Sequence, residues 1–343
     1  MASNQVLSVG IDLGTSRSSV SVSTGQRQVI ESYVGYPVDL VARKVLKKEV
    51  LVGREALEHR SMVHLFRPLE EGLIKEGSEK DEAAVRELLI QLLRQAGIDT
   101  QSRNGKKIRA VIGVPAEALR VNKQQVRKAM VGVVDNLMIV SEPFAVAYGL
   151  EALLHTLIID IGAGTADFCV MKGRLPTDDE QRTLTNAGDW VDEQLFRLVR
   201  ERYPEATISI HMVRDWKEQH SFVGEPKSRV VVSAPVAGKP TELDITDPMR
   251  QACEALVPPI VETVVDLLSR VEPEFQEKVR QNVILSGGTG LIDGLGQRIQ
   301  KELQAVGGGR VRVVKDPVFC GSDGGLAIAL DAGDSDWEKL AAG

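Results

Sequence analysis

The sequence holds only three cysteines, Cys169, Cys253 and Cys320, and none stands in a C-x-x-C pair. Each lies in or beside an apolar run. That spacing argues against a zinc site or a disulfide framework and predicts reduced, buried thiols. Nowhere do apolar residues run to the ~18 that a spanning helix needs. Met1–Gln5 carries no basic n-region, and the first apolar run, 6–11, is too short for the hydrophobic core of a signal peptide. The expectation is a cytoplasmic protein without direct membrane insertion. Basic charge is not in excess either. Lys and Arg total 42 against 48 Asp and Glu, a formal −6, which argues against nucleic acid as a partner. The common catalytic signatures are missing as well. There is no G-x-x-x-x-G-K-[ST], no G-x-G-x-x-G after the first strand, no H-E-x-x-H and no G-x-S-x-G.

What is present is a chain of 343 residues, 43% hydrophobic and 26% charged. That is the composition of a globular protein, with length for about two domains. Strand-like runs recur at 6–11, 18–23, 108–114, 137–140, 156–161, 168–171, 229–233, 282–285 and 310–314. Helical spacing recurs at 81–96, 119–131, 143–153, 191–202, 248–269, 294–305 and 323–330. The mixture predicts α/β layers on a mixed sheet. Two stretches, 34–80 and 173–246, are rich in Gly, Pro and mixed charge and read as insertions or small outer subdomains.

The most informative feature is an internal echo. Ile11-Asp12-Leu13-Gly14-Thr15-Ser16 returns as Ile159-Asp160-Ile161-Gly162-Ala163-Gly164-Thr165, about one domain length later. Each copy follows one strand and precedes another, which suggests a duplicated domain. An Asp at a strand end, then a Gly-rich turn and a hydroxyl, suits phosphate and metal. Glycine lets backbone N–H groups approach phosphate oxygens, and the carboxylate suits hydrated Mg²⁺. One copy alone reads as well as a tight hairpin turn with no ligand. Two copies, each with its Asp and Thr, point to a pair of turns clamping a triphosphate. A third Gly-rich element, Leu285-Ser286-Gly287-Gly288-Thr289-Gly290, lies between a strand and a helix. It suits close approach to a planar base or ribose, and equally a loop with conformational demands. Glu142 follows a strand and precedes Pro143 at a helix start. It either orients an attacking water, as phosphoryl transfer requires, or interacts with its own helix N-terminus.

Taken in order, these segments resemble the superfamily of ATPases that contains actin, Hsp70 and the sugar kinases. Residues 12–16 look like its first phosphate motif and 140–150 like its first connecting segment. Residues 160–167 look like its second phosphate motif, 285–290 like its adenosine motif and 321–330 like its second connecting helix. Lys217-Glu218-Gln219, followed by Ser221-Phe222-Val223-Gly224, is similar to the actin segment beside base and ribose. The chain lacks the peptide-binding domain of Hsp70 and is shorter than typical sugar kinases, which narrows the resemblance to bacterial actins. Val34-Gly35-Tyr36-Pro37, Ala237-Gly238-Lys239-Pro240 and Lys315-Asp316-Pro317 resemble the magnetosome-associated branch, and the likeness spans about 6–330.

The resemblance implies an α/β, two-lobed actin-like fold, a duplicated ribonuclease-H-like unit with the nucleotide cleft between the lobes. Domain I would be 1–146 with 319–343, its outer subdomain about 34–80. Domain II would be 147–318, its outer subdomain about 173–246. The cofactors implied are ATP or ADP with Mg²⁺. Asp12 and Asp160 would hold the metal through water, and Gly14, Thr15, Ser16, Gly162, Gly164 and Thr165 would cradle phosphates. Glu142, Asp160 and Thr165 would form the catalytic group, with Glu142 positioning the water. Lys217 and Glu218 would contact ribose and base, and Gly287, Gly288 and Thr289 would back the nucleotide. Asp167 would be structural. The implied activity is an ATPase whose subunits stack head to tail, a heterologous contact that gives an open filament. The implied partners are further copies of the chain and magnetosome-associated adaptor proteins, and the implied place is a filament along the magnetosome chain. The alternatives are another bacterial actin, serving plasmid segregation or cell shape, or a small-molecule kinase of the same fold. Trp337 and Leu340 are too few to bind a membrane strongly.

Overall fold

The computed structural model describes residues 6–70, 73–74, 79–100, 106–116 and 119–337. The sequence expectations for Met1–Gln5 and Leu340 lie outside them. Val6–Leu13 (β1) and Arg17–Val22 (β2) form an antiparallel hairpin, with register from Val9↔Val22 to Leu13↔Ser18. Arg27–Glu31 (β3) adds antiparallel to β2. Lys107–Val114 (β4) runs parallel beside β1, and Asn136–Ser141 (β5) parallel beside β4. The order is β5-β4-β1-β2-β3.

The second half repeats this plan. Leu154–Ile161 (β6) pairs antiparallel with Ala166–Lys172 (β7), which pairs antiparallel with Gln181–Leu184 (β8). Val283–Ser286 (β9) runs parallel beside β6, and Val311–Val313 (β10) parallel beside β9. The order β8-β7-β6-β9-β10 matches that of the first sheet strand for strand. The two echoed segments are therefore the tips of equivalent hairpins.

The central strands are largely buried because both faces are covered. With a side-chain period of two, Val9, Ile11 and Leu13 of β1 join Ala110, Ile112 and Val114 of β4 in the core of the first half. Leu157, Ile159 and Ile161 of β6 join Val283 and Leu285 of β9 in that of the second. The alternate residues Val111, Ile158 and Ile284 face the other way and meet in a shared core. Between the sheets lie two connecting helices, Glu142–Gly149 and Cys320–Asp331. The second presses so close to β1 that a Cβ on Gly10 would stand 2.0 Å from the Ser322 carbonyl oxygen.

Some expectations change. The pattern at 248–269 forms two helices, Thr246–Glu254 and Val257–Ser269. Pro258 and Pro259 lack the N–H groups that would continue the first helix, and they suit the start of the second. Cys169 and Cys253 are buried as free thiols, but Cys320 is half-buried at the start of its helix. Trp337 is buried in the shared core, with the Arg109 guanidinium 5.6 Å from its ring centroid. The stretch 34–80 holds a three-stranded sheet of Val34–Pro37, Leu51–Val52 and Val63–Phe66, with a small core of Tyr33, Leu51, Ala56 and Val63. Among the described residues, no helix is long and apolar enough to cross a membrane.

Candidate functional site

The two hairpin tips face each other across one cleft of about 350 Å³. Asp12, Gly14, Thr15 and Ser16 line it from the first half. Asp160, Gly162, Gly164 and Thr165 line it from the second, and Glu142 from between. Lys217, Glu218, Gly287, Gly288 and Thr289 form further wall. The tips touch, because a Cβ on Gly164 would lie 2.3 Å from the Thr15 hydroxyl oxygen.

The turns are held by their carbonyls. The Ser32 hydroxyl donates to the Gly14 carbonyl at 2.6 Å, Arg67 Nε donates to that of Thr15 at 3.0 Å, and the Ser32 N–H donates to that of Ser16 at 2.8 Å. In the second turn the Gly162 carbonyl accepts from the Thr289 hydroxyl at 2.7 Å and the Gly188 N–H at 3.1 Å. The Asp189 N–H donates to the Ala163 carbonyl at 2.7 Å. A trans peptide aims its N–H opposite to its C=O. Each pinned carbonyl therefore turns the next amide the other way, which suits a backbone that offers N–H groups to an anion. Thr289 thus acts on the second turn, and Gly287, at φ +82°, allows the approach of β6, where a Cβ would stand 2.2 Å from the Ile161 carbonyl oxygen.

Three of the carboxyl groups that line the cleft are buried and repel one another. Burial, then Asp167, raises the Asp12 pKa to about 6. Burial, then Asp12 and Asp167, raises that of Asp160 to about 8. Burial first, then Asp12, Asp167 and Asp160, lifts Glu142 well above the usual carboxylate range. Glu142 is the first residue of its helix but makes no cap. Its Oε1 is buried with no hydrogen-bond partner, so the cleft and not the helix terminus is its environment. Asp167, by contrast, is tied into the fold. Its Oδ1 accepts from the Ala116 N–H at 2.9 Å and the Thr183 hydroxyl at 2.6 Å, joining β7 to the loop after β4.

The oxygen-only donors at the hairpin tips fit a hard divalent cation. Among the described residues no three His, Cys, Asp or Glu side chains are disposed to ligate one ion, so Asp12 and Asp160 suit a metal held through water and phosphate oxygens.

Lys217 is committed elsewhere. Its Nζ donates to the Gly188 carbonyl at 2.6 Å and pairs with buried Asp192 at 2.7 Å, while Glu218 pairs with Arg17 at 3.0 Å. The residues that sequence reasoning passed over, Tyr33, Arg67, Asp189, Asp192 and Arg214, surround this edge of the cleft. They carry no motif. Tyr33 apart, their one signal is opposite charge, which says nothing until the halves are brought together.

Residues 6–335 match the model of the MreB/Mbl protein family. The chain belongs to the MreB/Mbl family. It is 41% identical over 334 residues to the actin-like protein MamK of Paramagnetospirillum magneticum, covering 97% of this chain and 95% of that one. A solved MamK double helical filament superimposes with a TM-score of 0.92 at 41% identity, covering 96% of this chain and 100% of that one. A non-polymerising point mutant of MamK bound to AMPPNP gives 0.73 at the same identity and coverage. This MreB/Mbl chain thus shares the actin-like fold, and its duplicated sheets are the two halves of it.

One mutation tests the contact between tips. In this MreB/Mbl protein Gly164→Ala forces the turns apart, and overpacking of that kind costs about 1–3 kcal/mol. Denaturant unfolding of the variant beside the wild type should show that loss.

Proposed function

We propose that this chain is a filament-forming, ATP-hydrolysing actin of the magnetosome-associated branch. The observation that carries the reading is the meeting of two pinned Gly-rich turns, Gly164 against Thr15, over a cleft into which Asp12, Asp160 and Glu142 are buried. Likeness to MamK along nearly the whole chain supports the assembly. In this reading domain I is 1–146 with 319–343 and domain II is 147–318, and subunits stack head to tail.

Mg²⁺, when bound, offsets charge on the phosphates, with Asp12 and Asp160 holding it through water. The amides of the two turns bind the phosphate oxygens. Gly287 and Gly288 give the nucleotide close passage past β9, and Glu218 stands at the base and ribose end. Glu142 orients the attacking water and accepts its proton, aided by Thr165.

Addition of ATP and Mg²⁺ should yield sedimentable filaments visible by electron microscopy. Soluble protein whose turnover rises with a sugar or an acid would overturn the assembly reading in favour of a small-molecule kinase.

The carboxyl cluster gives a pH dependence of unusual sign. The folded protein holds Asp12 at about 6 and Asp160 at about 8, above the ~3.9 of an unfolded Asp. Raised acids favour folding most below about pH 4 and lose that contribution as pH rises through the folded values. Nucleotide-free protein should therefore become less stable to denaturant between about pH 5 and pH 8, and Mg²⁺-ATP should flatten the slope.

A further inference from the structure

The mouth of the cleft is crossed by charged groups that the proposed chemistry does not use. Arg67 follows the strand Val63–Phe66 in the first half. Its Nε donates to the Thr15 carbonyl at 3.0 Å, and its Nη2 meets Asp189 Oδ2 at 2.7 Å. Asp189 belongs to the helix Gly188–Arg202 of the second half, and its N–H donates to the Ala163 carbonyl at 2.7 Å. Thr15, Arg67, Asp189 and Ala163 therefore form a polar chain from one phosphate turn to the other. Arg214, on the helix Ile210–His220, backs it. Its Nη2 donates to Asp189 Oδ1 at 3.0 Å, its Nη1 to the Tyr33 hydroxyl at 2.8 Å and its Nε to Asp192 Oδ2 at 3.0 Å. Tyr33 lies in the first half, with the Arg67 guanidinium 5.9 Å from its ring centroid.

We propose that the Arg67–Asp189 contact, backed by Arg214 and Tyr33, is a latch across the cleft that sets how fast nucleotide leaves. The proposal rests on the nucleotide reading above. Departure of a ligand clamped by both turns requires the turns to separate. Separation breaks Arg67–Asp189 and Arg214–Tyr33 together, because both join the first half to the second. The contact of Gly164 with Thr15 is close packing without direction. The Arg67–Asp189 contact is an attraction between opposite charges, and it is shielded, with side chains only 21% and 23% exposed, so salt screens it less than a surface pair. Arg17–Glu218, a further charged crossing, has side chains 53% and 43% exposed and holds weakly. A planar guanidinium reaches Thr15 and Asp189 at once, which a lysine ammonium does not match. Arg67 and Asp189 are thus positioning residues. They hold the first turn's amides in place and keep the second turn against them.

The test measures release of a fluorescent ATP analogue, loaded with Mg²⁺ and chased with excess ATP, from monomeric protein below its assembly concentration. Arg67→Ala and Asp189→Asn should each speed release about tenfold, and the double variant by clearly less than the roughly hundredfold product, since the two share the Arg67–Asp189 contact although Arg67 also loses Thr15 and Asp189 also loses Arg214. Asp189→Asn keeps the backbone bond to Ala163 and nearly the same shape, so it guards against simple misfolding. Arg67→Lys should recover part of the slow release. The thermal midpoint of nucleotide-free protein serves as the structural readout and should not track these rates. Release within twofold of wild type in both single variants, or effects that multiply in the double variant, overturns the latch. Failure of the wild type to take up the analogue overturns the nucleotide reading itself, and the latch with it.

Discussion

On the proposed function, replacing Glu142 by alanine should lower the rate of phosphate release from ATP by about 10²–10⁴-fold, the span usual for loss of a positioned acid or base, and should leave ATP-dependent assembly in place. Glu142 opens the connecting helix directly after β5 and packs over Gly113, where a Cβ would lie 3.4 Å from its Cγ. The packing points the carboxyl into the cleft beside Asp12 and Asp160, and its Oε1 finds no protein donor. A buried carboxyl oxygen without a partner costs free energy, and a water held for attack supplies the missing bond. The turn amides and the two aspartates do not involve this side chain, so nucleotide uptake and assembly survive its removal. A phosphate-release assay run alongside sedimentation separates the effects. Hydrolysis at the wild-type rate in Glu142→Ala would remove the residue from the mechanism.

The second large effect concerns stability. Asp192→Ala should lower the free energy of unfolding by about 3–5 kcal/mol, as expected when one member of a buried ion pair is removed. Asp192 is fully buried, with Lys217 at 2.7 Å and Arg214 at 3.0 Å. Burial raises its pKa, although Lys217 and Arg214 pull the other way, so the group is held at a cost and serves position more than stability. Without it, Arg214 keeps Asp189 and Tyr33, but Lys217 keeps only the Gly188 carbonyl. A buried ammonium is then left without its counter-charge. Denaturant unfolding of the two proteins measures the difference. A loss below about 1 kcal/mol, the worth of an exposed pair, would mean that water reaches the pair.

Much of the site was legible in the chain. Asp12 and Asp160 stand at strand ends just before Gly-rich turns, and the recurrence of that local pattern marked both. Glu142 was legible because a strand ends and a proline-started helix begins around it. Lys217 was only half legible. Its place at the cleft edge matches the resemblance, but its ammonium is spent on Asp192 and Gly188. Arg67, Asp189 and Arg214 were not legible at all. They are ordinary charged residues, far apart in sequence, whose pairing exists only across the closed cleft.

The order of residues sufficed for the duplicated α/β plan, the twin Gly-rich tips and the apolar strands, because each depends on neighbours along the chain and on side-chain period. Folding in three dimensions chose the rest. It set Gly164 against Thr15, raised the pKa values of three carboxyl groups by crowding them away from water, and joined the halves through arginines. Those features depend on distance through space and on burial, and neither can be counted along a polypeptide.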